Sequence, residues 1–220
     1  MSETRPATAV LNRNAEPVFR GLWAAVFYAQ PTAPKSVVVC SANHREGATA
    51  IACGLALAGV GEADQARVAL VDFNLRTPGV DRHLRLSDGA GVSEVLTGQA
   101  GLDQALQRVG PGQLDVVTAG HQPGRMLEAL QADRVRKFLA DLTARYQHVI
   151  VDTAPANQYP DAQVLAEATD GAVLVARYRT TPREALVQAR KRLETARANI
   201  LGTVLNMRTY PIPGFVYRRV

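Results

Sequence analysis

Six short runs of apolar, largely β-branched residues recur along the chain, and the stretches between them carry apolar residues at helical spacing. The runs are Ser36 to Ser41 (SVVVCS), Arg67 to Asp72 (RVALVD), Leu114 to Thr118 (LDVVT), His148 to Asp152 (HVIVD), Gly171 to Arg177 (GAVLVAR) and Ile200 to Asn206 (ILGTVLN). Each is nearly continuous in apolar character rather than alternating, which suits strands buried on both faces. Between them, Thr49 to Val60 is rich in small and apolar residues. Asp133 to Tyr146 sets Val135, Phe138, Leu139 and Leu142 on one face. Pro182 to Asn199 opens with Pro182 in a first-turn position and turns Leu186, Ala189 and Leu193 inward. Strands alternating with amphipathic helices predict an α/β fold: a mostly parallel central sheet with helices on both faces.

The 220 residues are enough for one such domain. The pattern assigns residues 15–206 to it, including an N-terminal helical arm from roughly Glu16 to Gln30. Residues 1–14 are expected to be a flexible N-terminal tail, and 207–220 a C-terminal tail. No run of about 18 apolar residues occurs, so no membrane span is expected. The first dozen residues lack a signal pattern, which points to the cytoplasm. The net charge of +5 suits anionic partners, but the arginines are spread along the chain without aromatic interleaving, so nucleic acid is not expected. Cys40 and Cys53 sit inside apolar runs without metal-ligand spacing and read as buried free thiols.

Three strand ends carry polar residues where parallel sheets gather ligands. The first is the loop Ser41-Ala-Asn-His-Arg-Glu-Gly-Ala-Thr49, between a buried strand and a helix, where backbone N–H groups and a helix N-terminus favour an anion. The others are Asp72-Phe-Asn-Leu-Arg76 and Asp152-Thr-Ala-Pro155. An aspartate ending an apolar strand is placed to hold Mg²⁺, directly or through water.

These stretches resemble the bacterial tyrosine kinases of capsule and exopolysaccharide systems, relatives of the Min and Par ATPases with a P-loop fold of deviant Walker A type. That family reads PGEGK(S/T), DADLRRP and IIDTPP where this chain has His44-Arg-Glu-Gly-Ala-Thr49, Asp72-Phe-Asn-Leu-Arg-Thr-Pro78 and Val151-Asp-Thr-Ala-Pro155. Gly91-Val-Ser-Glu-Val-Leu-Thr-Gly98 is similar to its GLSDVLxG spacer, and Leu201 to Asn206 to its LGVVLN, which implies Asn206 beside adenine. The resemblance runs from about Glu16 to Asn206. It implies Mg-ATP as cofactor, with Mg²⁺ near Thr49, Asp72 and Asp152 in an active member. It also implies a partner: the cytoplasmic end of an inner-membrane polysaccharide co-polymerase or chain-length protein, holding the chain at the inner membrane face.

The departures fall on the charged machinery. Ala48 stands for the loop lysine, Arg45 for a loop glycine and Asn74 for the second acidic residue, while Glu46, Gly47, Thr49, Asp72, Arg76 and Asp152 remain. Each survivor also has a structural use: Thr49 as a helix cap, the aspartates as acceptors for loop amides. The family's self-association helix, ExxRxxR, keeps Arg20, has Glu16 one residue out of register, and has Trp23 at the second arginine. The tail offers only Tyr210 and Tyr217, among Pro211 and Pro213, where the family has a tyrosine-rich run. The leading expectation is a pseudokinase without catalytic residues, metal or firmly held cofactor, acting as an interaction module, with weak ATP or ADP-Mg binding still open. Two others stand beside it: an enzyme in which Arg45 supplies the missing charge, and a Min/Par-type accessory protein.

Overall fold

The computed structural model describes residues 15–62, 67–110, 114–121 and 130–208. The predicted tails at 1–14 and after Arg208, with Tyr210 and Tyr217, lie outside the described residues. In chain order the elements are α1 (Glu16–Phe27), β1 (Ser36–Ser41), α2 (Ala48–Glu62), β2 (Val68–Asp72), α3 (Val80–Leu84), α4 (Val92–Thr97), α5 (Leu102–Ala105), β3 (Leu106–Val109) and β4 (Leu114–Val117). After them come α6 (Ala132–Thr143), β5 (His148–Asp152), α7 (Asp161–Ala168), β6 (Gly171–Arg177), α8 (Arg183–Thr195) and β7 (Ile200–Asn206). Among the described residues the strands form one sheet in the order β3-β4-β2-β5-β1-β6-β7.

All six predicted strands are present and pair in parallel. The seventh, β3, pairs antiparallel with β4 at one edge. Its LQRV sequence is too short and too polar to announce a strand, and pairing with β4 is what makes it one. Two helices are shorter than the pattern suggests: α1 stops at Phe27, and α8 begins after Pro182, which is its N-cap rather than part of its first turn, whereas α2 is longer, running from Ala48 to Glu62.

Alternate residues of each inner strand face opposite layers, as a period of two requires. Val38, Val71, Val151 and Leu174 pack against α4, α6, α7 and α8, while Val37, Val39, Leu70, Ile150 and Val173 pack against α1 and α2. Cys40 and Cys53 belong to opposite layers, each a free buried thiol. Burial, and then the nearby Asp152 charge, push Cys40 up to about 12, which keeps it protonated and unreactive.

The run of small residues in α2 has a packing reason. A side-chain carbon on Gly59 would fall 2.2 Å from the Trp23 ring, so glycine lets α1 lie directly on α2. Trp23 is fully buried, with Phe27 at 4.2 Å and His148 at 4.8 Å between ring centroids. The residue at the expected second arginine of a self-association motif is therefore a core residue here. Glu16 and Arg20 form an exposed ion pair within α1 at 2.9 Å, worth roughly 0.3–0.5 kcal/mol.

Candidate functional site

The carboxyl ends of β1, β2, β5 and β6 converge on the loop that joins β1 to α2. Arg45 adopts φ 62° and Gly47 φ 90°, both in the left-handed region. Arginine thus takes up the glycine-like conformation that this position demands, at roughly 1 kcal/mol of strain. At Gly47 any side chain is excluded as well, because a Cβ would sit 2.3 Å from Asn206 Nδ2.

The loop is closed by Glu46, which is buried at 3% exposure. Its carboxylate accepts the Asn43 N–H at 2.9 Å and the Thr181 hydroxyl at 2.6 Å. Its carbonyl accepts Asn206 Nδ2 at 2.9 Å. The Oδ1 of Asn206 in turn accepts the Met207 N–H, so the residue expected beside adenine has both ends of its amide engaged, the Nδ2 end in holding the loop.

Ala48 begins α2, and its methyl group belongs to the apolar cluster under that helix. Thr49 follows as the second helical residue. It does not cap the helix; its hydroxyl donates to Asp152 Oδ2 at 2.6 Å. Asp152 is fully buried and stands opposite Asp72 in the β2–β5 register. Among the described residues its Oδ1 has no hydrogen-bond partner, and the adjoining Thr153 N–H donates to the Val39 carbonyl. Asp72 is equally buried and bonded through both oxygens: Oδ1 accepts the Asn74 N–H, and Oδ2 accepts those of Gly79 and Val80. Asn74 caps the following turn through Thr77, and Arg76 makes a bidentate pair with buried Asp161 beneath the Tyr159 ring. Arg76 therefore anchors α7 rather than reaching the loop.

Above these residues lies an open cleft of about 980 Å³. Its lining carries Arg45, Arg82, Arg177, His44 and His83, and no carboxylate among the described residues. Sequence reasoning missed Arg82, Arg177 and Thr153. Arg177 ends β6 and Thr153 follows Asp152, so the strand-end rule was the signal available for both. The first N–H groups of α2 add partial positive charge.

The arrangement fits an anion better than a metal held by the two aspartates. Neither Asp72 nor Asp152 lines the cleft, and both oxygens of Asp72 are engaged by backbone amides. Only Thr49 of the three expected Mg²⁺ neighbours faces the cleft. Burial, and then the Asp72 charge, push the Asp152 carboxyl well above the ordinary carboxylate value, with the Thr49 hydroxyl opposing. Burial also raises Asp72, against the pull of its three amides.

A pH dependence follows with a definite sign. Both carboxyls are raised in the folded state, so folding takes up protons, and stability falls as pH climbs from about 4 through the folded values. Asp152→Asn is expected to melt above wild type at pH 8, by roughly 2–4 °C per kcal/mol recovered, with the gap closing toward pH 5. Circular-dichroism melts across that range check it. A variant that melts lower at pH 8 would mean that the Thr49 contact outweighs the buried charge.

No protein-family model matches the chain. It is 33% identical to the tyrosine-protein kinase YwqD of Bacillus subtilis over 172 residues, which is 78% of this chain and 72% of that protein. It is 33% identical to the tyrosine-protein kinase etk of Escherichia coli (strain K12) over 170 residues, 77% of this chain but 23% of that much longer protein. Among solved structures, the chimerical protein CapA2B2 matches with a TM-score of 0.85 at 25% identity, covering 93% of this chain and 91% of that one. The kinase domain of Escherichia coli ETK matches at 0.84 and 28% identity, covering 96% and 85%.

Proposed function

The chain belongs to the bacterial tyrosine-protein kinase family, and from that premise we propose that it is a member without phosphoryl transfer, a pseudokinase that serves as an interaction module in exopolysaccharide or capsule synthesis and export. One observation carries the reading. The residue at the junction of phosphate loop and helix is the buried methyl group of Ala48, so no cation stands where the family resemblance puts its lysine. Loss of one such donor at a transition state lowers rates by orders of magnitude. Asn74, turned to a structural cap, removes a second charged group.

The partner proposed is the cytoplasmic end of an inner-membrane polysaccharide co-polymerase. The family resemblance supports this partner, and so does the likeness to the chimerical protein CapA2B2. No described helix is long and apolar enough to cross a membrane, which suits attachment through such a partner.

A second reading has its own observation: Arg45 lines the cleft, where its charge could serve in place of the lysine in a divergent tyrosine autokinase or ATPase. Purified protein incubated with Mg-ATP separates the two. The expected result is neither phosphotyrosine nor phosphate release above background. Turnover that disappears in both Arg45→Ala and Asp152→Ala would establish the enzyme and end the pseudokinase reading.

A further inference from the structure

The two edges of the sheet differ in character. β3 is four residues long and carries Arg108, the kind of short, charged strand that keeps an edge from pairing. At the other edge β7 runs for seven residues with neither a charge nor a proline. The Tyr178 N–H donates to the Asn206 carbonyl, so Asn206 turns its backbone groups toward β6. Alternation along the strand then points the N–H and C=O of Thr203 and Leu205 outward. Both residues are exposed, Leu205 at 53%.

The charge around β7 is one-sided. Arginines run through the whole chain, but between Arg177 and Arg208 eight lysines and arginines meet only Glu184 and Glu194, a net +6 against +5 for all 220 residues. The remainder of the chain therefore carries −1. Along α8, Leu186, Ala189 and Leu193 face the core. The flank with Ala185 and Arg192 is the one toward α7, where their carbonyls accept Asn157 Nδ2 at 2.8 Å and Gln163 Nε2 at 3.4 Å. At 3.6 residues per turn, Arg183, Val187 and Arg190 fall on the opposite flank, on the side of the β7 edge. Arg197 stands three residues before β7. Arg183 and Arg197 are exposed and have no ion-pair partner among the described residues. Arg190 pairs with Glu194 at 2.7 Å in an exposed contact of the kind that is worth little.

We propose that β7 is a docking edge, to which an extended acidic segment of a partner protein adds as a further strand, its carboxylates meeting Arg183, Arg190 and Arg197. Main-chain bonds to an open edge supply affinity in this mode, and side chains beside the edge supply selectivity. Charge decides among the strands that could pair there. Residues 209–220 hold Arg218 and Arg219 and no acidic residue, so they do not complement the surface. A second copy in a twofold contact would bring the same positive excess against it. A nucleic acid or a lipid surface answers the charge but has no peptide backbone to pair with Thr203 and Leu205. The proposal gives the interaction-module reading a surface and rests on it for the kind of partner.

Fluorescence anisotropy of a labelled peptide of about twelve residues, glutamate alternating with valine, titrated with the full chain at low salt, tests it. The peptide is expected to bind at least about tenfold more tightly than its lysine–valine counterpart. Thr203→Pro removes an outward N–H that an added strand needs, on an edge where proline is tolerated. It should weaken binding at least about tenfold, while Thr203→Ala leaves it unchanged. Arg183→Glu combined with Arg190→Glu should weaken it by a similar factor, and Arg67→Glu, beside the amino end of β2, should have no effect. Peptide binding that survives Thr203→Pro in a chain of wild-type melting temperature overturns strand addition. Binding that survives the double charge reversal overturns the acidic partner, and no binding of the peptide overturns both. A wild-type dimer that Thr203→Pro dissociates gives the edge to a second copy. Duplex DNA or phosphatidylglycerol vesicles bound in place of the peptide give the charge to nucleic acid or lipid; each of these results overturns the proposal. Phosphate transfer in Mg-ATP would end the pseudokinase reading with peptide binding intact, so the two fail separately.

Discussion

Ala48→Lys is expected to bind ATP in Mg²⁺ about 10–100-fold more tightly than wild type, the equivalent of one charge-assisted hydrogen bond of roughly 1.5–3 kcal/mol. Ala48 lines the cleft at the first residue of α2, between an intact loop and a helix N-terminus. A lysine stem there can lie along the apolar wall and carry its ammonium out among the phosphates. The loop needs no rebuilding, because Gly47, Glu46 and Asn206 already hold it. Calorimetry on the single variant suffices. An affinity unchanged within error would mean that position 48 does not aim at the phosphates, and the missing lysine would lose its explanatory weight.

Asp72→Ala is expected to remove about 3–6 kcal/mol of stability, because three buried amides lose their acceptor at roughly 1–3 kcal/mol each, with some relaxation. That is a large share of the roughly 5–15 kcal/mol a domain possesses. In an active relative the same substitution would invite a metal-binding explanation. Here Asp72 ties Asn74, Gly79 and Val80 into one turn, and the turn collapses without it. Asp72→Asn keeps one acceptor oxygen and removes the repulsion with Asp152, so it should lose less than half as much. Urea denaturation of both variants decides the matter. If alanine proves no worse than asparagine, the acceptor role of Asp72 is wrong.

The sheet was legible because its strands are buried on both faces. Val37 to Cys40 and Val149 to Val151 are buried on both sides, and their β-branched residues set such short runs apart from the alanine- and glycine-rich run of α2. The edge strand β3 was not, since Leu106 to Val109 owes its form to pairing rather than composition. The strand-end aspartates were found by their place in the chain. What they touch was hidden, because a carboxylate at a strand end looks the same whether it faces a metal or three amides. The loop's closure was hidden for a different reason: Thr181 lies 135 residues and Asn206 160 residues beyond Glu46. No local pattern signals a contact across such spans. Arg177 and Thr153 likewise acquire their setting only when β6 and β5 are laid on either side of β1.

The brace at Glu46 bears on how a phosphate loop can decay. Its shape is held by Asn43, Thr181, Asn206 and the bare backbone of Gly47, and none of these is the residue that would carry the charge. Geometry and electrostatics are thus written in separate residues. A lineage can shed the lysine in a single substitution and inherit the cradle undamaged. Such a loop is an heirloom open to new occupants, and its chemistry can be lost or regained without refolding the protein.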